Sequence, residues 1–329
     1  MGCPGSSLSI ELIHEARQRI AAEAVVTPLL RSAYLDEVTG GRILLKAENL
    51  QRTGSFKFRG AYNRISSIPE ADRARGIIAV SSGNHAQGVA EAAWLLGLKA
   101  TIVMPSDAPS IKVERCIRRG AKIVSYDRAS EDREALVRKL AAESGATLVH
   151  PYDDHLVMAG QGTAGLEIAD QAQGYGLTPD AVLTCCGGGG LTAGVALAVS
   201  TAFPGIAVHP VEPAGFDDTA RSLAAGQRLR NDKATGSICD ALLSPEPGAL
   251  TFPVNASLLS AGISVTDEDV LKAMAFAFKE LKLVVEPGGA VCLAALLSRA
   301  FDARGKTVVA LLSGGNVTPQ MMVRALEEA

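Results

Sequence analysis

Four small-residue turns carry the residue types that could do chemistry in this chain. The most pronounced is Cys185-Cys186-Gly187-Gly188-Gly189-Gly190, where the apolar run AVLTC leads into four glycines and then the helical stretch LTAGVALAVSTAF. Backbones without Cβ atoms can close on an anion, and the free N–H groups and positive end of a helix start favour negative charge, so the reading is a phosphate cradle. Gly188, Gly190 and Ala193 also fit a G-x-G-x-x-A dinucleotide fingerprint, with Glu212 at the end of the next strand where a ribose-binding acid would sit. A nicotinamide enzyme is therefore a rival, whereas a P-loop lacks its Lys-Ser/Thr close. The second turn, Ser81-Ser82-Gly83-Asn84-His85, follows the run GIIAV and precedes a helix expected to begin near Ala86. Ser82 and His85 do not make a hydrolase, because no G-x-S-x-G elbow surrounds the serine, and His85 reads as a structural loop histidine. The third is Ser55-Phe56-Lys57-Phe58-Arg59-Gly60. Aromatic neighbours desolvate an amine, lower its pKa and suit it to Schiff-base chemistry; the plain alternative is a solvated lysine at an amphipathic helix start. The fourth, Leu312-Ser313-Gly314-Gly315-Asn316, places a hydroxyl where the last strand would end.

These turns need strands and helices to hold them. Short apolar runs at 43–47, 76–80, 100–104, 121–126, 181–185, 206–211 and 307–312 read as buried strands. Helical stretches lie between them, among them 90–97, 130–145 and 267–282, the last opened by Thr266 and Asp269 spaced as a capping box. The alternation predicts an α/β fold of parallel sheets covered on both faces. From about Gly215 to Pro253 the chain is broken by Gly, Pro and Asp and reads as a surface loop region at a site.

Composition narrows the function. The 329 residues, 47% hydrophobic, suffice for about two domains with real cores. Thirty-two basic against 35 acidic residues leave a formal charge of -3, without a basic block to attract nucleic acid. No apolar run has the length of a membrane span, and the first residues lack the apolar core of a signal peptide, so the expected compartment is the cytoplasm. Six cysteines at 3, 116, 185, 186, 239 and 292 form neither a disulfide framework nor a metal-type spacing, and are expected reduced and mostly buried.

In order and spacing, Ser55-Phe56-Lys57, Ser82-Gly83-Asn84-His85, the tetraglycine and Ser313-Gly314-Gly315-Asn316 resemble the fold type II pyridoxal-phosphate enzymes, specifically the threonine/serine dehydratase and serine racemase family, over nearly the whole chain. The resemblance implies two doubly wound parallel-sheet domains like those of the tryptophan synthase β-subunit, with the cofactor between them. Residues 1–66 and 152–329 would form a discontinuous large domain around a small one of residues 67–151. It implies that Lys57 carries pyridoxal 5'-phosphate, Phe56 lies against its ring, Asn84 bonds its phenolic oxygen, Gly187, Gly188, Gly189 and Gly190 hold its phosphate, and Ser313 bonds its pyridine nitrogen. Ser82 would be the second base, opposite Lys57, and Ser55, Ser82, Asn84 and His85 would surround the substrate carboxylate or the cofactor. Glu212, the Phe216 carbonyl and Asp218 resemble the family's divalent-cation site, for Mg²⁺ or Ca²⁺.

A hydroxyl at Ser313 cannot favour a protonated pyridine as a carboxylate would, which makes a weaker electron sink suited to β-elimination. The implied activity is dehydration and deamination of a small β-hydroxy amino acid such as L-threonine or L-serine to a 2-oxo acid and ammonia. Its alternatives are a serine racemase, a 3-hydroxyaspartate dehydratase, a dehydratase of hydroxyectoine degradation and, outside the family, a nicotinamide oxidoreductase or a non-catalytic anion-binding protein. A homodimer is implied by resemblance. Phe58, commonly aliphatic in relatives, and Cys185-Cys186 depart from the family pattern.

Overall fold

A computed structural model describes residues 7–108, 110–127 and 130–328. Ten strands are found among them: β1 (Leu29–Arg31), β2 (Arg42–Lys46), β3 (Ile77–Val80), β4 (Ala100–Pro105), β5 (Lys122–Tyr126), β6 (Thr147–Leu148), β7 (Ala181–Cys185), β8 (Ala207–Pro213), β9 (Ile263–Val265) and β10 (Thr307–Leu311). They make two sheets. The six-stranded one runs β1-β2-β10-β7-β8-β9, and the four-stranded one β5-β4-β3-β6. Only β1 is antiparallel to its neighbour. The fold is thus α/β with two parallel sheets, as the alternation predicts.

All seven expected strands form within two residues of their sequence bounds. Their apolar runs are continuous because helices cover both faces: Ile43, Leu44, Val182, Leu183, Val308 and Val309 are each 0% exposed. The sequence reading missed β1, β6 and β9, which have two or three residues each and lie at or near sheet edges, too short to show a period. The helix expected near Ala86 starts at Asn84, so Asn84 and His85 belong to its first turn rather than to the preceding loop. The helix Asp267–Lys279 opens with the predicted capping box of Thr266 and Asp269. The stretch after Gly215 holds two helices, Asp218–Ala225 and Thr251–Leu258, so it is less irregular than expected.

One helix organises the site from below. His155–Gly174 packs on both the helix Lys57–Ser66 and the helix Gly190–Ala202, whose N-termini bear the candidate lysine and the glycine loop. The approach is close enough that a Cβ on Gly160 would lie 2.6 Å from the Gly60 Cα, and one on Gly162 would lie 2.9 Å from the Gly194 carbonyl. Glycine removes the side chains that would hold these helices apart.

The start of the lysine helix is also fixed electrostatically. Arg59, 0% exposed, donates to Glu48 at 2.8 and 2.9 Å and to Glu167 at 2.6 and 2.8 Å. The Lys46 amine, likewise buried, donates to Glu167 at 2.6 Å, to the Thr27 carbonyl at 2.7 Å and to Gln171 at 3.0 Å. Two cations thus meet two anions. A buried charge set persists when every charge and donor is matched, as here. No composition argument anticipated it.

The five described cysteines are free and buried, as expected; Cys3 lies outside the described residues. No helix of the described residues is long and apolar enough to cross a membrane.

Candidate active site

The four turns meet at the carboxyl ends of the parallel strands, around a cleft of about 920 Å³. Phe56, Lys57, Ser82, Asn84, His85, Gly187, Gly188, Gly189, Gly190 and Ser313 all line it, together with Ala241, Leu242 and Ser244 from the loop-rich region. Ser55 lies just behind, 0% exposed, its hydroxyl without a hydrogen-bond partner.

Two turns are joined directly. Ser55 makes an antiparallel bridge with Gly314, the Phe56 N–H donates to the Ser313 carbonyl at 3.1 Å, and the Gly315 N–H donates to the Gly54 carbonyl at 2.9 Å. Lys57 and Ser313 are therefore fixed on one backbone ribbon although 256 positions separate their numbers. The Lys57 amine lies 5.1 Å from the centre of the Phe56 ring and donates to the Pro151 carbonyl at 2.8 Å. Burial lowers this amine to about 8, against an opposing pull from the Glu286 carboxylate. The unprotonated, nucleophilic form is thereby accessible near neutral pH.

The glycine loop is built to leave its N–H groups free. Its carbonyls are already engaged: Gly188 accepts from the Thr251 hydroxyl at 2.7 Å and from the Gly248 N–H at 3.2 Å, and Gly189 accepts from the Asn255 amide at 3.3 Å. Gly189 has φ 90°, the left-handed region where a side chain is strained. A Cβ on Gly188 would sit 2.4 Å from the Tyr152 ring, and one on Gly190 would lie 2.8 Å from the Tyr152 carbonyl. Tyr152 thus explains two of the four glycines sterically. The helix that follows, Gly190–Ala202, directs its positive end at the same point.

The segment from His150 to Asp154, where the chain returns from the small sheet, supplies more than the sequence reading assigned to it. Pro151 receives the lysine, and Tyr152 backs the glycines. The Asp153 carboxylate accepts from the N–H groups of Ala249, Leu250 and Thr251, at 3.1, 2.7 and 3.2 Å, and so places Thr251 under the loop. Asp154 caps the helix His155–Gly174 and takes Arg64 at 2.9 Å.

His85 donates from Nε2 to the Val149 carbonyl at 2.9 Å, while its Nδ1 has no partner. Burial, reinforced by the Lys57 charge, depresses it to about 3. It is neutral, and its free nitrogen accepts rather than donates, so it cannot pair with a carboxylate as a cation. Glu286, missed at the sequence level, lines the cleft and accepts from the Asn84 amide; burial first, and Asp240 further, push its carboxyl up to about 7. Its position before Pro287 at a helix start was the available signal.

Glu212 is not where a ribose-binding acid belongs. It is 0% exposed, away from the cleft, and accepts from the Thr219 and Ala220 N–H groups at 3.0 and 2.8 Å. This removes the structural basis of the dinucleotide alternative. Burial and the neighbouring Asp218 push Glu212 up to about 8, and burial pushes Asp218 to about 6, one of its oxygens lacking any partner. Among the described residues, no three His, Cys, Asp or Glu side chains gather as a metal site.

An amine of lowered basicity, a cradle of free N–H groups where side chains cannot fit, and a hydroxyl at a strand end suit an aldehyde cofactor carrying a phosphate and a pyridine ring. The comparisons agree. A model of the pyridoxal-phosphate dependent enzyme family matches residues 20–314. The chain is 42% identical over 303 residues to an L-threo-3-hydroxyaspartate ammonia-lyase of a Pseudomonas species, covering 92% of this chain and 93% of the relative. A T.th. threonine deaminase structure superposes with TM-score 0.89 at 45% identity, covering 94% of this chain and 99% of that one. The structure of maize serine racemase superposes with TM-score 0.91 at 36% identity, covering 98% of each. From the site and these likenesses together, the chain belongs to the pyridoxal-phosphate dependent enzyme family and has its fold type II architecture.

Proposed function

We propose that the protein is an ammonia-lyase that removes water and then ammonia from a small β-hydroxy amino acid such as L-threonine or L-serine, giving a 2-oxo acid. The observation that carries this reading is the convergence of the Lys57 amine, the glycine cradle and the Ser313 hydroxyl on one cleft. Bound pyridoxal phosphate supplies an electron sink for the charge left when a proton leaves the carbon bearing the amine. Phe56 would lie against its ring, Lys57 would hold its aldehyde carbon, Gly187 to Gly190 its phosphate, Asn84 its phenolic oxygen and Ser313 its pyridine nitrogen. Once the substrate amine takes its place, Lys57 moves the Cα proton on one face, and Ser82 serves the other. Ser82, Asn84 and the acceptor nitrogen of His85 would surround the substrate carboxylate or the cofactor, with Ser55 behind them. Glu212, the Phe216 carbonyl and Asp218 would hold Mg²⁺ or Ca²⁺; two buried carboxylates, of which Asp218 raises Glu212, support this.

We assign residues 1–66 and 152–329 to the cofactor-bearing domain and 67–151 to the inserted one, in keeping with the separate sheets. The family resemblance supports a homodimer, and the lack of a membrane-span-length apolar run or signal-peptide core supports a cytoplasmic place for it. A second reading, elimination from 3-hydroxyaspartate, is favoured by the likeness to an L-threo-3-hydroxyaspartate ammonia-lyase, although of the cations in the cleft lining Lys112 already pairs with Asp240 and Arg230 with Glu246. Racemisation is the third. One experiment separates them: 2-oxo acid assay and chiral chromatography on the same reactions with L-threonine, L-serine and L-threo-3-hydroxyaspartate. A higher kcat/KM on hydroxyaspartate would move the assignment to that substrate, and more D-serine than pyruvate from L-serine would replace it with racemisation. With elimination dominant, Ser82→Ala leaves L-threonine dehydration standing and removes D-serine formation and D-serine dehydration.

A further inference from the structure

Asn316 stands at the end of the last turn, and its amide can take only one orientation. The Nδ2 group donates to the Thr53 carbonyl at 2.8 Å, and Oδ1 accepts from the Arg115 guanidinium at 2.8 Å. A backbone carbonyl only accepts and a guanidinium only donates, so neither contact survives a flip. The same Nδ2 group donates to Asn84 Oδ1 at 2.8 Å. Asn84 must therefore present its oxygen to Asn316 and its nitrogen to the opposite side. There one N–H goes to the Glu286 carboxylate, and the other has no acceptor among the described residues. Asn84 lines the cleft and is 9% exposed.

We infer that Asn316 is a positioning residue: by fixing the amide polarity of Asn84, it ensures that an N–H donor, and not a carbonyl, meets the cofactor's phenolic oxygen. This rests on the reading of Asn84 given above. Glu286 reinforces the arrangement but cannot dictate it at every pH, because a protonated carboxyl donates as readily as it accepts. Asn316 holds its orientation through a backbone carbonyl that only accepts and a guanidinium that only donates. The other charges around this group are Lys57, which faces Glu286, and the Lys112 and Asp240 pair, which faces Glu286 from the two sides of the cleft.

A donor to the phenolic oxygen favours its anionic form and lowers the pH at which the cofactor's visible band titrates. Asn316→Asp keeps the size and the Arg115 contact but removes the donor, so Asn84 turns its amide nitrogen toward the new carboxylate and its carbonyl into the cleft. The test compares holoenzyme, Asn84→Ala and Asn316→Asp by the pH midpoint of the visible band and the dissociation constant for pyridoxal phosphate, with melting temperature checking the fold. The expected result is an upward midpoint shift of about one pH unit in both variants and about tenfold weaker cofactor binding. If Asn84→Ala shifts the midpoint and Asn316→Asp does not, the positioning role is overturned. If neither shifts it, the reading of Asn84 itself fails, and this inference falls with it.

Discussion

The Lys57 amine rests on the Pro151 carbonyl at 2.8 Å, so the candidate lysine is held by the segment that also backs the glycine loop. A backbone carbonyl accepts from the amine whether it is charged or neutral, and it adds no charge to raise the amine's basicity. Burial therefore prevails, and the amine stands near 8.

Lys57→Ala should abolish the visible absorbance of the bound cofactor and nearly all turnover while the melting temperature changes little, because the side chain lines a cleft and does not fill the core. In the unmutated protein stripped of cofactor, the rate of reconstitution should climb as pH rises through about 8, where the neutral amine becomes the major form. Absorbance after rapid mixing at a series of pH values checks this; a midpoint near 10 would mean that burial does not act on this amine.

The Gly188→Ala variant should weaken cofactor binding by about tenfold or more, about 1.4 kcal/mol, since the new methyl group would sit 2.4 Å from the Tyr152 ring. Gly174→Ala, at an open position with nothing within 4 Å, should leave binding unchanged. Equilibrium titration with pyridoxal phosphate distinguishes the two.

Arg59→Met leaves Glu48 and Glu167 buried and facing each other without their shared partner, and should cost about 3–5 kcal/mol of stability by urea denaturation. The pH response follows from Glu48, whose folded value lies below the ordinary one: although burial raises it, Arg59 more than offsets that. Its contribution is complete above the unfolded carboxyl value and is lost as pH falls through the folded one. In the variant this acid-side dependence should weaken.

Glu212 and Asp218 have the opposite sign. Their folded values, about 8 and about 6, lie above the ordinary carboxyl range, so without a cation their contribution is complete below pH 4 to 5 and is lost as pH rises toward 8. A divalent cation relieves the repulsion. Chelation should lower the melting temperature more at pH 8 than at pH 6, Mg²⁺ or Ca²⁺ should restore it, and Asp218→Asn should remove the response and weaken the pH dependence, since burial still raises Glu212. Identical melting curves with and without chelator at pH 8 would exclude the site.

The legible part of this molecule is local. Short apolar runs announced seven strands, and the tetraglycine reads as an anion site. What escaped depends on partners distant in sequence. Arg59 reads as one more charge in Ser55-Phe56-Lys57-Phe58-Arg59-Gly60 until Glu167 arrives from 108 positions away. Tyr152 and Asp153 look like an ordinary polar turn, because their meaning lies in residues 188 and 249–251. Glu212 sat where a nucleotide-binding acid could be expected, and only the direction of its side chain decided otherwise.

Four consecutive residues, Pro151 to Asp154, touch the lysine, the glycine loop, the helix behind that loop and the helix beneath both. The same segment is one of the chain's passages between the two sheets. A ligand joined to Lys57 and seated on the glycines would hold this segment at both ends, as a keystone locks an arch. Loading the cofactor should stiffen the segment, with slowed amide exchange at residues 150–154 as its signature.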